Sequence, residues 1–380
     1  MKIDANSVTF EPQDMAFVKK FGILKATEMA LDYHAEHPNL PFLYDAEQLA
    51  GFLGISRGEL NDIVNHIQKE YKEAHLPKKD GTYRSLCVPS IRLRFCQDPI
   101  KEKILPQLPV SKFATAYQKG STTRGNAEPH IGKKFLLKLD ITDFFGSITF
   151  EQVQRTAFNT RYVSRQVGYL LTSLCCKDDS LPQGAATSPA LSNIVMYRFD
   201  DYIGRWCSQR QIAYTRYCDD MTFSANRPLY GVYQKVKTML REMGFELNES
   251  KTHFIGNDNR QSVTGLVVNE KLSIPSGYKR DLRQEVYYAL KFGVEDSVLH
   301  GHRSDFVEDG RPICCPTYML HLMGKVQYVL QIEPENLWFK DAQKKLLAYI
   351  YEHYSESLSY YLHFNKNGKV KGMYEQSNPV

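Results

Sequence analysis

Two adjacent carboxylates, set in a segment that otherwise has the pattern of β-strands, are the residues best suited to chemistry. Asp219 and Asp220 lie in "IAYTRYCDDMTFSA", residues 212–225, among aromatic, β-branched and small residues. Neighbouring carboxylates repel each other and lose hydration on burial, so an uncompensated pair would be costly at this position. We therefore expect a positively charged partner to bind there.

A third carboxylate, Asp140, ends the Leu-rich segment "KKFLLKLD". If the hairpin around the acidic pair lies beside this segment, Asp140 and Asp219 can point at the same place. Mg²⁺ prefers hard oxygen ligands and keeps positions open for water and phosphates, and two such ions can hold the attacking and leaving oxygens of a phosphoryl transfer. This pattern favours a site for two Mg²⁺ ions. The alternative is a solvated turn at 219–220, with Asp140 as a capping residue.

The elements that must position these carboxylates are indicated by the hydrophobic periodicity of the chain. Helical periodicity covers 15–37 and 46–73, and "LPKKDGTYRSLCVPS" predicts a β-hairpin with Asp80-Gly81 at its tip. From 133 onward the pattern predicts a strand, a helix over 151–174, a helix near 188–209, the acidic hairpin, a helix over 228–243, further strands and, from about 280 to 364, helices. This order is typical of an α+β fold with an antiparallel sheet.

Composition and charge narrow the class of protein. The 380 residues are 42% hydrophobic and 24% charged, which is typical of a globular protein with two or three domains or one large lobed domain. The formal net charge of +5 permits a nucleic-acid partner without requiring one.

None of the eight cysteines forms a C-x-x-C pair, so we expect reduced, mostly buried thiols and no structural zinc. No signal-peptide core or membrane-spanning segment is evident, so we expect a cytoplasmic protein with no membrane partner.

An ordered set of motifs resembles the reverse transcriptases. The set comprises "FLLKLDITDFFGSI", "PQGAATSP", "YCDD", "NESKTHFIG" and "VTGLVVN", and the resemblance covers about residues 74–285. It implies a right-hand polymerase fold with fingers, an antiparallel-sheet palm and a helical thumb. The expected domains are a helical N-terminal extension (1–73), fingers (74–132), palm (133–280, with finger elements around 150–190), and a helical thumb with a C-terminal tail (281–380).

The resemblance also implies catalytic roles. Asp140 and Asp219 would be the main metal ligands, with Asp220 as the supporting third carboxylate. Lys251, in "NESKTHF", matches a lysine that can protonate the pyrophosphate leaving group. An ordinary surface lysine is the alternative for Lys251.

A nucleotide pocket is implied by two further motifs. Phe145 would face the sugar of the incoming nucleotide and clash with a 2′-hydroxyl, which favours dNTPs over rNTPs, whereas Phe144 is expected in the core. Gln183 and Gly184 would lie under the nucleotide, with glycine needed because the backbone must approach closely without a Cβ.

The hairpin "KKDGTYR" carries Lys78, Lys79 and Arg84, which would grip the triphosphate. A triphosphate favours point charge from lysine and a bidentate fork from arginine. Which of the two lysines makes the contact is left open, and lysines that only aid solubility are the alternative.

Two elements indicate bacterial retron enzymes within this family. "RGNAEPHIGKKF" contains Asn126 and His130 in an N-A-x-x-H pattern, and "SVTGLVVN" contains Val263-Thr264-Gly265. With Lys325 in the basic and aromatic C-terminal lobe, these residues are the expected RNA-binding set. A hydrogen-bonded core or loop histidine is the alternative for His130, and a helical bundle with solvated lysines is the alternative for the lobe.

A retron enzyme would bind a cognate structured noncoding RNA, prime DNA synthesis from a guanosine 2′-hydroxyl, and produce branched msDNA. Such systems commonly defend against phages together with a separate effector protein. Group II intron-like or other bacterial reverse transcriptases, and a non-catalytic RNA-binding protein with a palm fold, are the alternatives. The end of the chain at 380 disfavours a group II enzyme, Ser188-Pro189 disfavours a diversity-generating enzyme, and the intact carboxylates disfavour a non-catalytic protein.

Overall fold

The computed structural model describes residues 2–4, 7–9, 15–36, 38–77, 81–159, 163–300, 306–308, 311–312, 315–358, 363–364 and 370–371. The chain divides into two units, Met1–Asn259 and Arg260–Val380.

The first unit begins with a short hairpin and four helices. These elements are β1 (Lys2–Asp4), β2 (Ser7–Thr9), α1 (Met15–Phe21), α2 (Ile23–Glu36), α3 (Ala46–Leu53) and α4 (Arg57–Asn65). Asp45 caps α3, Gly54 ends it in the left-handed region at φ 73°, and Ser56 forms a capping box with Glu59 on α4. A glycine turn therefore separates α3 from α4 within the segment of helical periodicity.

The helical pattern over 46–73 ends earlier than predicted. Strand β3 (Tyr71–Pro77) begins there and pairs antiparallel with β4 (Tyr83–Pro89), so that buried Tyr71 lies opposite Pro89. Pairing with a segment farther along the chain overrides the local periodicity. The predicted hairpin is present, and it leads into α5 (Ile91–Pro99) and, farther on, α6 (Thr123–Ala127).

A four-stranded antiparallel sheet carries the acidic segments. Its strands are β5 (Phe135–Asp140), β6 (Ala213–Tyr217), β7 (Asp220–Ala225) and β8 (His253–Gly256), in the order β6-β7-β5-β8. Leu136 and Leu137 are both buried. Since successive strand residues point to opposite faces, the sheet is covered on both sides. The α+β class with an antiparallel sheet is confirmed.

The described part of the first unit contains four further α-helices. They are α7 (Phe150–Ala157), α8 (Arg165–Cys175), α9 (Ser188–Ser208) and α10 (Tyr230–Glu242). The single helix predicted over 151–174 is wrong, because the chain forms α7 and α8 with a break between them. Gly168 in α8 lies so close to Phe158 that an added Cβ would be 2.6 Å from the Phe158 carbonyl oxygen. The break therefore lets α8 pack against the end of α7.

The second unit is mainly helical, as predicted for this part of the chain. Its elements are β9 (Ser262–Val263), β10 (Leu266–Val267), α11 (Ser276–Phe292), α12 (Val294–His300), β11 (Val307–Glu308), β12 (Arg311–Pro312), α13 (Cys315–Ile332), α14 (Leu337–Leu358), β13 (His363–Phe364) and β14 (Val370–Lys371). Half-buried ion pairs, Lys279 with Glu333 at 2.6 Å and Lys325 with Glu285 at 2.6 Å, tie its helices together. Across the described residues of both units, every helix is too short or too polar to cross a membrane.

Candidate active site

The structure brings the three predicted carboxylate residues to one end of the sheet. Strands β5 and β7 pair so that Asp140 lies directly opposite Asp220. The backbone N–H of Ile141 donates to the carbonyl oxygen of Asp219 at 3.3 Å, which joins the chain after β5 to the turn before β7. Residues far apart in the sequence are thus neighbours in the backbone.

A two-residue turn, Cys218-Asp219, connects β6 to β7, with Tyr217 paired to Asp220. Cys218 has φ 61°, in the left-handed region, which costs a residue with a Cβ about 1 kcal/mol or more. The Tyr117 hydroxyl donates to the Cys218 sulfur at 3.0 Å. Burial and the charge of Asp219 raise the pKa of the Cys218 thiol to about 12, so the thiol is neutral near pH 7.

A fully buried ion pair supports this turn from the protein interior. Arg216 on β6 and Asp200 on α9 have solvent-inaccessible side chains, and Nε of Arg216 donates to Oδ1 of Asp200 at 2.9 Å. Nη1 of the same guanidinium donates to the carbonyl oxygen of Cys218 at 2.8 Å, and Nη2 donates to Oδ1 of Asn193 at 3.1 Å. The guanidinium therefore ties the acidic turn to α9.

Neither member of this ion pair was predicted from the sequence. The available signal lies in α9, where Asn193 and Asp200 are two helical turns apart and so share one face of a mostly apolar helix. Buried polar side chains of this kind require hydrogen-bond partners. Arg216, two residues before Cys218, is the matching cation.

Negative charge at the carboxylates is only partly balanced by nearby cations. The Asp140 side chain is 8% exposed, and Nζ of Lys251 donates to its Oδ2 at 2.9 Å, which raises the pKa of Lys251. Asp220 is more open to water. The surrounding protein nevertheless removes part of the hydration of its carboxylate, and this desolvation, together with the charge of Asp219, raises the pKa of Asp220 to about 6 even though Lys138 opposes the shift. An excess of negative charge favours a bound cation.

The carboxylate oxygens of these three aspartates are chemically suited to bind a divalent cation. Carboxylate oxygens are the ligands that Mg²⁺ prefers, and desolvation, followed by the charge of Asp219, raises the pKa of Asp220. Within the residues that the structure describes, however, no three His, Cys, Asp or Glu side chains are arranged to hold a metal ion. The cation beside Asp140 is the Lys251 ammonium. The metal-ligand roles of Asp140, Asp219 and Asp220 therefore remain predictions.

The segment after β5 forms a tight turn that places two phenylalanines differently. Asp143 has φ 41°, its carbonyl oxygen accepts from the N–H of Ser147 at 2.8 Å, and a Cβ on Gly146 would collide with its carboxylate. Phe144 is 4% exposed and lies in the core, as expected. Phe145 is half-buried, with its ring centroid 5.5 Å from that of Phe144.

The Gln183-Gly184 loop lies against strand β4. The N–H of Cys87 donates to the carbonyl oxygen of Gln183 at 2.7 Å. Gly184 has φ 121°, and an added Cβ would be 2.9 Å from the Cys87 carbonyl oxygen. A close backbone approach therefore does require glycine here, although the observed neighbour is β4. Contact of Gln183 and Gly184 with a nucleotide stays a prediction.

Only one of the three residues predicted to grip the triphosphate lies in the described part of the β3–β4 hairpin. Arg84 is half-buried on β4, opposite Leu76. Lys78 and Lys79 lie outside the described residues.

Asn126 and His130 are interior residues. Their exposures are 1% and 0%. The ring nitrogens of His130 lie 2.7 Å from the Ser224 hydroxyl and 2.9 Å from the Thr215 hydroxyl, while the Thr115 hydroxyl donates to Oδ1 of Asn126 at 2.6 Å. Burial lowers the pKa of His130 to about 3. Because both side chains are buried, the RNA contact expected for them is corrected to a structural role: His130 bridges strands β6 and β7, and Asn126 accepts from Thr115.

The remaining predicted RNA-binding residues lie in the second unit. Val263 is buried, and Thr264 and Gly265 form the turn between β9 and β10 with φ 45° and 81°. Positive φ at both positions is the geometry of a type I′ hairpin turn. Lys325 donates to Glu285 at 2.6 Å and is 19% exposed. The structure thus explains the Val-Thr-Gly element as a hairpin.

Comparisons with known proteins match this chain to reverse transcriptases. The family model "Reverse transcriptase (RNA-dependent DNA polymerase)" matches residues 76–268. The retron Mx65 reverse transcriptase of Myxococcus xanthus is 31% identical over 320 residues, covering 78% of this chain and 70% of that protein. The retron Ec83 enzyme of Escherichia coli is 34% identical over 233 residues, covering 57% and 75%, and the retron Ec86 enzyme is 28% identical over 270 residues, covering 70% and 84%.

Among solved structures, telomerase from Candida albicans is a distant match, with a TM-score of 0.41 and 12% identity over 79% of this chain and 67% of that one. Reverse transcriptases generally use divalent metal ions, and they work with an RNA template. From the family match, the relatives and the arrangement of motifs around Asp140 and Asp219, we conclude that the chain belongs to the retron-type reverse transcriptases, RNA-directed DNA polymerases with a right-hand fold.

Proposed function

We propose that this reverse transcriptase copies part of a cognate structured noncoding RNA into DNA, primed from a guanosine 2′-hydroxyl, and leaves branched msDNA. The observation that carries the proposal is the pairing of Asp140 with Asp220 beside Asp219, which gathers three carboxylate residues at one sheet end. The similarity to several retron enzymes supports the choice of RNA and product.

Asp140 and Asp219 would hold two Mg²⁺ ions, with Asp220 as the supporting carboxylate. Bound Mg²⁺ supplies positive charge to the attacking and leaving oxygens of a phosphoryl transfer. The protein itself contributes rigidity. The β5–β7 pairing fixes the strand ends, and Arg216 fixes the Cys218-Asp219 turn through the Cys218 carbonyl.

Lys251 is proposed to protonate the pyrophosphate leaving group. Its side chain is 60% exposed yet reaches Asp140, so the ammonium lies at the site and can turn toward a substrate. The hydrogen bond with Asp140 raises the pKa of Lys251, so the ammonium keeps its proton until this bond is exchanged for one to the leaving group.

The nucleotide pocket is proposed to combine residues from three segments. Arg84, with Lys78 or Lys79, would grip the triphosphate, because an arginine fork and a lysine point charge both suit phosphate oxygens. Gln183 and Gly184 would lie under the nucleotide. Half-buried Phe145 would exclude a 2′-hydroxyl and so favour dNTPs.

The domain division, the RNA contacts, the protein partner and the cellular location are proposed from the same family membership. We divide the chain into an N-terminal extension (1–73), fingers (74–132), palm (133–280, with finger elements around 150–190) and thumb with tail (281–380). We assign RNA contacts to Thr264, Gly265 and Lys325, whereas the Val263 side chain is buried and is corrected to a structural role. A separate effector protein in phage defence is the proposed partner. Cytoplasmic action is supported by the free cysteines of the described part of the chain.

The first test is extension of a DNA primer on an RNA template with Mg²⁺ and dNTPs. Wild type should extend the primer, and Asp219→Asn should fall to background because a main ligand loses its charge. Glu242→Gln, an exposed carboxylate change on α10, is the matched control and should extend normally. Normal extension by Asp219→Asn would show that the metal assignment is wrong.

The second test identifies the priming reaction. Nucleic acid that co-purifies with the chain from cells carrying its native locus should contain DNA joined to RNA through a 2′–5′ bond, which a debranching enzyme would release. Recovery of intron RNA instead would support a group II-like enzyme.

A further inference from the structure

The outer face of α9 carries a groove that the proposed reaction does not use. The groove has a volume of about 450 Å³, and its lining includes Arg198, Tyr202, Arg205, Trp206 and Arg210. We call it the α9 groove. The opposite face of the same helix is buried and directs Asp200 and Asn193 to Arg216. The groove therefore lies on the side of α9 that faces away from the ion pair behind the acidic turn.

Aromatic rings in the α9 groove are paired with cations. The guanidinium carbon of Arg210 lies 4.5 Å from the centroid of Trp206. Nζ of Lys235, on the neighbouring helix α10, lies 5.0 Å from the Tyr202 ring and 5.4 Å from the Trp206 ring, and it donates to the Tyr202 hydroxyl at 3.1 Å. Tyr202 is 50% exposed. The groove thus presents flat rings to solvent with positive charge at their edges and faces.

Charge in the groove is strongly one-sided. Arg198, Arg205, Arg210 and Lys235 are joined by Arg227, whose Nη2 donates to the carbonyl oxygen of Arg210 at 3.1 Å. Among the described lining residues the one acidic side chain is Asp201, which forms an ion pair with Arg205. An anion is therefore the complementary ligand.

RNA fits this chemistry better than an acidic protein segment does. Phosphates repeat along an RNA strand and bind arginine and lysine without regard to sequence. Unpaired bases stack on exposed aromatic side chains and on guanidinium planes. An acidic peptide would use the cations but would leave Tyr202 and Trp206 without a matching flat partner.

We propose that the α9 groove is an RNA-binding surface outside the polymerase site, with phosphates on Arg205, Arg210 and Lys235 and a base stacked on Tyr202 or Trp206. The proposal rests on the proposed function in one respect, since a structured RNA longer than the template at the active site is what would reach this face. The α9 groove would bind that RNA at a surface that the copying reaction does not need.

The test measures binding of a fluorescently labelled, mixed-sequence RNA that carries a stem-loop and a long single-stranded tail. The full chain with Arg205→Gln, Arg210→Gln and Lys235→Gln should bind this RNA about 10- to 50-fold more weakly at physiological salt, because three phosphate contacts are lost. The slope of log Kd against log salt concentration should fall by about 2. Tyr202→Leu keeps an apolar side chain, and it should weaken binding with little change in the salt slope.

Two controls separate the α9 groove from the polymerase site. Arg57→Glu, at an exposed arginine of α4, should leave RNA affinity unchanged. Extension of a short primer on a short RNA template should be normal in the triple variant. Failure of wild type in that extension assay would count against the proposed function, whereas the binding assay judges the groove independently.

Equal RNA affinity and equal salt slope for wild type, the triple variant and Tyr202→Leu would overturn the proposal. A protein that binds wild type but not the triple variant, with RNA affinity unchanged, would likewise overturn it and would identify the groove as a protein-binding surface.

Discussion

The guanidinium of Arg216 joins the carboxylate of Asp200, on α9, to the carbonyl oxygen of Cys218, in the turn that precedes Asp220. Both ends of the ion pair are completely buried. A charge without its partner would be costly there, whereas removal of both charges need not be. Variants of this ion pair can therefore show separately how it affects the stability of the fold and how it positions the acidic turn.

Asp200→Asn should destabilise the protein by about 3–5 kcal/mol in denaturant unfolding, because the Arg216 charge remains buried without its counter-ion. The double variant Asp200→Asn with Arg216→Met should recover much of that stability. It should not recover primer extension, because the hydrogen bond to the Cys218 carbonyl is absent. If the double variant extends primers at the wild-type rate, Arg216 does not position the turn.

Cys218→Ala should retain near-normal activity, within about threefold of wild type. Alanine fits the space of the small thiol, and the bond lost is a weak contact from Tyr117 to sulfur. Tyr117→Phe removes the same contact from the other side and is the control. Primer-extension rates measure both variants, and a large loss in Cys218→Ala alone would mean that the sulfur itself contributes to the reaction.

Phe145→Ala should relax the choice of sugar. A smaller side chain leaves room for a 2′-hydroxyl, so the preference for dNTPs over rNTPs, measured as the ratio of kcat/KM values, should fall by at least about tenfold, or ~1.4 kcal/mol. Phe144→Leu is the matched control. It should cost about 1 kcal/mol of stability in the core without changing this ratio. An unchanged ratio in Phe145→Ala would remove this residue from the nucleotide pocket.

His130 should make stability depend on pH. Burial lowers its pKa to about 3 in the folded chain, while the unfolded chain binds a proton below about pH 6.5. Unfolding is therefore favoured as pH falls from 6.5 toward 3, at about 1.4 kcal/mol per pH unit. Between pH 7 and 5, wild type should lose about 2 kcal/mol more stability than His130→Gln, which can keep hydrogen bonds but cannot titrate. Parallel stability curves for the two proteins would contradict the buried, neutral state of His130.

The sequence by itself determined the local features of this protein. The acidic pair, the Asp80-Gly81 hairpin signal and the order of the motifs are properties of short segments, and the strands that flank the hairpin signal formed as predicted. Local periodicity was misleading where distant pairing or packing competed with it. The start of β3 at Tyr71 and the break between α7 and α8 are two such places.

Only the tertiary structure decided the register that sets Asp140 opposite Asp220, the burial of Asn126 and His130, and the reach of Asp200 to Arg216. Each of these depends on segments far apart in the chain. A slip of one residue in strand pairing would turn every side chain to the other face of the sheet. Tertiary packing likewise decides which face of a helix contacts a strand, and no short segment of sequence specifies that packing.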